Sequence, residues 1–271
     1  GRQRRIKRHQ PLPGAGVGAC AAALQEAFSG NTGHEWRELL RRAGDIWALT
    51  RRDVLGRSLE GYRDLLPLAS SRRSLLTVAP WQTLRGLGRR TLQDPRARLI
   101  LDRYATYTGS DPRRCPAALA TIPFVEQTFG VWHIGGGLHA LAAALYQRCL
   151  DLGVVFHFGV RVDRILTDER AVTGIEAAQA RIAADVVVTD ADTRTVYNEL
   201  VEDRRTRTAR QRLNRLQPSF SGFVLMLALS GTTPGIRHHN VWFPQDYDAE
   251  FDALFAKNPA PVTDPAIYAC V

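Results

Sequence analysis

Lysine is nearly missing from this 271-residue sequence: Lys7 and Lys257 are the only two among 36 Lys and Arg residues. Methionine occurs once, at Met226. Cysteine is sparse and scattered: Cys20, Cys115, Cys149 and Cys270 stand far apart, and no Cys-x-x-Cys pair occurs. That spacing excludes a zinc-finger or disulfide framework and fits a reducing compartment. No run approaches the ~18 apolar residues that a membrane-spanning helix needs. No apolar stretch of the secretory-signal type follows the basic residues at 2–8. What is present is enough apolar sequence, 45%, to build a sizeable core, which excludes a wholly disordered chain.

Acid is what the first half lacks. The formal net charge is +9, but its placement is uneven. Residues 1–10 hold five basic residues and no acid, and residues 36–119 hold seventeen Arg against eight acids. Residues 120–271 are mildly acidic, with fourteen basic residues against seventeen acids. A GC-rich codon bias accounts for Arg over Lys. A cationic face meeting nucleic acid or anionic lipid is the functional alternative. No helix-turn-helix, zinc finger or aromatic stacking motif supports nucleic acid.

Along the chain, residues 1–20 read as a basic tail. Its Gly14-Ala-Gly16-Val-Gly18-Ala19 imitates a dinucleotide-binding turn, but the Arg, Lys, His and Pro before it cannot form the buried strand such a turn requires. From about 34 to 118 the period is helical. Trp36, Leu39, Leu40, Ala43, Ile46 and Trp47 share one stripe, and Asp94-Pro95 is a helix start. Weaker helical segments lie at 53–66 and 81–92. After about 120 the texture is mixed: a helix over 138–152 closed by Gly153, strands at 154–158, 160–165, 172–176 and 184–189, and charged helical sequence over 194–215. Strands follow at 219–229, 241–243 and 266–271, with a short helix over 248–255.

Several blocks in order carry a resemblance. They are Leu101-Asp-Arg-Tyr-Ala-Thr-Tyr-Thr-Gly-Ser-Asp-Pro, Pro123-Phe-Val-Glu126, Gly130-Val-Trp-His-Ile-Gly135-Gly136-Gly137, and Val160-Arg-Val162-Asp-Arg-Ile165. Ala184-Asp-Val-Val-Val-Thr-Asp190-Ala191-Asp192, Ser219-Phe-Ser-Gly-Phe and His238-His239-Asn240 follow. From about residue 21 to 271 the sequence resembles the bacterial-type carotenoid (phytoene) desaturases, FAD-dependent amine-oxidase-like flavoproteins. The implied fold is mixed α/β: the middle portion of an FAD-binding-type flavoprotein with a helical subdomain and an antiparallel substrate-domain sheet. The implied divisions are an unmatched tail at 1–20 and a helical, membrane-facing substrate subdomain at 21–118. An FAD-domain portion follows at 119–215, and part of a substrate-domain sheet at 216–271. The family's two terminal FAD-binding segments have no counterpart here, so the sequence reads as an incomplete part, inactive alone.

The resemblance implies FAD as cofactor. It places the main chain at Val160 and Val162 against the adenine edge, and Gly135 and Gly136 at the flavin–substrate junction. The strand end Asp190, Ala191 and Asp192 lies near the phosphates. The family has Asn where Asp190 stands, which replaces an amide donor with a negative charge. The implied reaction is dehydrogenation of a long apolar polyene, hydride passing to the flavin. No catalytic residue is assigned; Arg103, Asp111, Arg113, Arg114 and Glu126 read mostly as salt-bridge partners. Isomerase, saturase and ketolase activities on the same scaffold are the alternatives, with a basic non-enzymatic binding module behind them. A hydrocarbon substrate implies a cytoplasmic enzyme peripheral to the cell membrane. The Arg-rich stretch with Trp36, Trp47 and Trp81 is expected to meet the lipid. No metal site is expected: neighbouring residues on a strand face opposite sides, which would part His238 from His239.

Overall fold

The computed structural model describes residues 16–28, 30–69 and 71–271. The Arg2–Arg8 run and the first part of the glycine-rich run therefore lie outside the described residues. The chain divides into two units, residues 1–133 with 219–271, and residues 134–218. Both α-helix and antiparallel β-sheet are present, as the sequence texture required.

The helical part of the first unit runs α1 (Val17–Ala27), α2 (Thr32–Thr50), α3 (Arg72–Val78), α4 (Leu84–Thr91), α5 (Pro95–Arg103) and α6 (Thr121–Phe129). α1 begins at Val17, so residues 17–20, read as tail, are helical. α2 is the organising element. Trp36, Leu39, Leu40, Ala43 and Ile46 recur at steps of three and four and are all buried, Trp36 to 1% exposure. The first four pack with Leu84, Leu87, Leu92, Leu101 and Ala105 in one core. Gly33 lets α1 approach: a Cβ there would stand 2.5 Å from the Ala21 carbonyl oxygen. α5 starts as its sequence dictates, with Pro95 in the first turn and Asp94 Oδ1 accepting from Arg96 N at 2.8 Å. The segment between α2 and α3 is weaker, a π-turn over Arg51–Leu55 and a 3₁₀ run over Tyr62–Ala69. No α-helix forms over 53–66, because a Gly-x-x-x-x-Gly span (Gly56, Gly61) breaks it.

The second unit opens with α7 (Leu138–Asp151), followed by a meander of β1 (Val162–Thr167), β2 (Val172–Ala177) and β3 (Ala180–Ala183). The predicted hairpin forms, Ile165 opposite Ile175, with Asp168 Oδ1 closing its turn by accepting from Arg170 N and Ala171 N. β3 was not foreseen, and the two strands expected beside it are not strands. Residues 154–158 and 185–189 form no ladder with a neighbour among the described residues; Ala184 N alone donates to Thr173 O on β2, at 3.1 Å. Their apolar side chains face outward, Val188 at 91% exposure. An apolar run becomes a strand only where a neighbour supplies its ladder. The charged stretch 194–215 is broken into a turn α8 (Thr193–Thr195), a π-turn over Val196–Leu200 and α9 (Arg207–Arg215).

Residues 219–271 return to the first unit. Residues 219–229 are extended but unpaired among the described residues, Met226 at 93% exposure, for the reason just given. β4 (His239–Trp242) and β5 (Ile267–Cys270) form an antiparallel pair, with α10 (Tyr247–Leu254) between them. Ion pairs seat α10 on the helices. Arg85, nearly buried, lies 2.6 Å from Asp102 through Nε and forks onto Asp248 at 2.6 and 3.0 Å. Arg113 bridges Asp111 and Asp252, each at 2.8 Å. Asp248 and Asp252 stand one turn apart on α10, so one helix face takes both arginines.

Candidate functional site

The residues expected to hold a cofactor all fall in the second unit. Gly136 and Gly137 precede α7 with φ of +86° and +82°, a left-handed turn that L side chains resist. Gly136 has room, since a Cβ would meet only Ala140 Cβ at 3.6 Å; its φ, and not crowding, calls for glycine. Gly135 is exposed beside it. Val162 opens β1 opposite Ala177, where the register shifts before Arg164, and Val160 lies exposed just outside the strand. Asp190, Ala191 and Asp192 follow the unpaired segment 185–189 and are exposed. Thr189 Oγ1 accepts from Ala191 N, and Asp192 caps α8 by accepting from Arg194 N at 2.8 Å. Apart from Ala191 N, which Thr189 Oγ1 takes, these residues present main-chain groups of the kind that an adenine edge or a diphosphate takes. The main chain at 160–162 and 188–191 and the turn at Gly135–Gly136 fit FAD. The Asp190 carboxylate, an acceptor with no N–H to offer, does not.

The cationic stretch is arranged differently from its expected form. Trp36 is core, its indole N–H donating to Gln127 Oε1 at 3.1 Å, and Trp47 packs its ring on Phe129, centroids 6.1 Å apart. Trp36 is buried on the α2 stripe and Trp47 is half-buried; of these three tryptophans Trp81 is the exposed one. Exposed apolar residues of this region include Leu55, Leu59, Leu66 and Leu76, near Arg51, Arg52, Arg57, Arg72 and Arg73 in the sequence. Arg41, Arg42, Arg72 and Arg73 line a shared groove with Asp45 and Leu76. Burial, then the nearby charge of Arg90, lowers the Arg42 pKa. Among the described residues no helix is long and apolar enough to cross a membrane.

The charges of the matching blocks are mostly structural. Asp111 and Arg113 form the pair described above, and Arg103 lies over the rings of Tyr107 and Tyr268, 5.8 and 5.1 Å from their centroids. Arg114 is exposed. Glu126 accepts from Tyr104 Oη at 2.9 Å, and burial, reinforced by that carboxylate, pushes the Tyr104 hydroxyl far up. Asp102 is the most perturbed acid: burial raises its pKa to about 6, against the pull of Arg85. Asp248 moves the other way, lowered by its bonds to Arg85.

The two histidines are not parted. His238 precedes β4, where strand alternation no longer holds, and its ring lies 4.3 Å from that of His239, centroid to centroid. His239 pairs directly with Cys270 across the β4–β5 ladder, so their side chains leave the same face. One ligand-type atom from each of His238, His239 and Cys270 lies within 4.8 Å of the other two. Sequence reading missed this because Cys270 is 31 residues away, and only the strand register brings it near. Burial, then the charge of His238, lowers the His239 pKa.

No protein-family model matches the chain. Curated relatives do. A 4,4'-diapolycopene oxygenase of Methylomonas sp is 27% identical over 235 residues, covering 86% of this chain and 47% of the relative. A zeta-carotene-forming phytoene desaturase of Myxococcus xanthus is 33% identical over 204 residues, 74% of this chain and 39% of the relative. A 1-hydroxycarotenoid 3,4-desaturase of Flavobacterium sp. is 29% identical over 175 residues, 65% and 35%. The chain spans about half, or less, of the length of the curated relatives it matches. The resemblance to the carotenoid desaturases is borne out: the relatives are carotenoid desaturases and oxygenases.

Proposed function

We propose that these 271 residues are part of an FAD-dependent enzyme that desaturates a long apolar polyene such as phytoene. The observation that carries this is the match to carotenoid desaturases and oxygenases over as much as 86% of the chain. FAD, when bound, accepts a hydride from a substrate C–H bond. The main chain at Val160 and Val162, the Gly135–Gly136 turn and the Ala191 strand end would hold it. Their part is to bind and orient, because a hydrocarbon offers few hydrogen-bonding groups and alignment is what the protein can supply. Asp190 disfavours a phosphate neighbour and would sit where its charge is solvated.

The test is the complete reading frame carrying these residues, expressed in a host that accumulates phytoene. Bound flavin and a product lighter by two hydrogens per step are expected. A flavin-free protein that leaves every polyene unchanged would overturn the reading. A product that gains oxygen would favour the second reading, a carotenoid oxygenase, which the Methylomonas relative's name supports.

The same reading puts the enzyme at a membrane surface on the cytoplasmic side, since its substrate dissolves only in lipid. Exposed Leu55, Leu59, Leu66, Leu76 and Trp81, in an arginine-rich stretch of the chain, support it. Flotation with anionic liposomes should show binding that weakens steeply when salt shortens the screening length from about 10 Å to about 3 Å. Replacing Arg72 and Arg73 by Glu should reduce it further. No binding at low salt would end the membrane reading.

A further inference from the structure

We propose that His238, His239 and Cys270 form a metal site that takes Zn²⁺, a feature independent of the desaturase reading. His239 and Cys270 are directly paired across β4 and β5, and the main chain extends the ladder one step further, Val271 N donating to His238 O at 3.1 Å. Three residues from two strands are therefore held by one short sheet. The outer partners set the rings. His238 Nδ1 lies 2.5 Å from the Val271 main-chain oxygen, which can only accept, so Nδ1 carries the proton. Nε2 is left with its lone pair and faces Cys270 Sγ at 4.0 Å.

His239 Nδ1 lies 2.7 Å from Tyr268 Oη, and with that hydroxyl accepting, its Nε2 also offers a lone pair. Tyr268 is itself stacked under Arg103. A hydrogen bond on the far nitrogen of each imidazole is the arrangement that orients histidine ligands to metals. His133, its ring 5.5 Å from that of His238 and edge to face, closes one side.

A thiolate with two imidazoles suits zinc, and three protein ligands leave the fourth tetrahedral position to solvent. Bonds of ~2.0–2.3 Å to one ion require donor separations of roughly 3.3–3.6 Å, so side-chain rotation must draw the set in by about an ångström. On binding, the Cys270 thiol gives its proton to solvent as the S–Zn bond forms. No disulfide holds Cys270.

The chain, stripped with chelator, is titrated with Zn²⁺ against a chromophoric competitor and, separately, with Co²⁺. One equivalent should bind in the micromolar range or tighter, and Co²⁺ should show a thiolate-to-metal charge-transfer band. Cys270→Ser should abolish that band, and His238→Gln should weaken Zn²⁺ about tenfold or more, the loss typical even of outer partners. Exposed His157→Gln, in the other unit, should change nothing. Circular dichroism checks that each variant folds. No saturable binding, or equal binding by Cys270→Ser and His238→Gln with native dichroism, would overturn the proposal.

Discussion

The two units bury apolar sequence to very different extents. In the first, one helix, α2, presents Trp36, Leu39, Leu40 and Ala43 to a core that α4 and α5 complete. In the second, α7 has no buried residue, and Leu138, Leu145, Val155, Phe158, Val186 and Val188 all face outward. Ile165 and Ala177 on the meander are its buried apolar side chains among the described residues. Both units have well-formed backbone turns and strands. The comparison separates two requirements that are often merged: local sequence can close a hairpin or a helix, but only a second apolar layer makes either one stable. The first unit supplies both layers from its own described residues, and the second supplies one.

The comparison breaks or sharpens at single side chains. Trp36→Ala should cost about 3–5 kcal/mol, the range for emptying a large buried site. Its Gln127 partner is left unsatisfied as well. Chemical denaturation followed by helical dichroism reads the loss; a shift below about 1 kcal/mol would mean that the α2 stripe is not the core. Next comes Arg85→Met, which strands Asp102, 3% exposed, without its counter-charge and frees Asp248. Removing one partner of a buried pair costs about 3 kcal/mol or more. The same assay should also show α10 loosened, since Asp248 is one of its two anchors.

The sequence made elements of both units legible where its signals are local and agree. The α2 stripe, the Asp94-Pro95 start, the Gly153 stop and the hairpin at Asp168 all appear where periodicity and capping place them. The misread strands at 154–158, 184–189 and 219–229 share another cause. Each has a buried strand's composition, and composition cannot say whether a neighbour is present. The same holds for the sites. Gly136 was legible because a positive φ leaves a residue-type signature. The arginine clamp on α10 and the His238–His239–Cys270 cluster were not, since Arg85 is 163 residues from Asp248 and pairing across a sheet leaves no local mark.

Asp102 offers a subtler contrast within the better-packed unit. Its folded pKa, about 6, lies above the ordinary carboxylate value of about 4, so between these pH values the folded chain holds a proton that the unfolded chain has lost. Stability from this group is therefore full below about pH 4 and falls as pH rises to about 6, by roughly 2–3 kcal/mol at most. Asp248, lowered by Arg85, works oppositely and loses its contribution only in stronger acid. Asp102→Asn should flatten the decline between pH 4 and 6 in denaturant midpoints and leave the acid limb intact. A variant whose decline is unchanged would place the titration on another group.

The smallest expected effect is the most informative about the second unit. Leu145→Ala removes an exposed apolar side chain from α7, and Val188→Ser does the same in the unpaired segment. With nothing from the described residues covering them, each should move stability by no more than about 0.5 kcal/mol, the scale of surface substitutions. Alanine is the better helix former, so Leu145→Ala has no propensity cost to confuse the result. A loss of about 2 kcal/mol or more at either position would mean that the face is covered in solution. Repeating the measurement with added FAD separates two coverings. A loss that appears only with FAD places the cofactor against this unit; a loss without it, growing with protein concentration, places a second copy of the chain there.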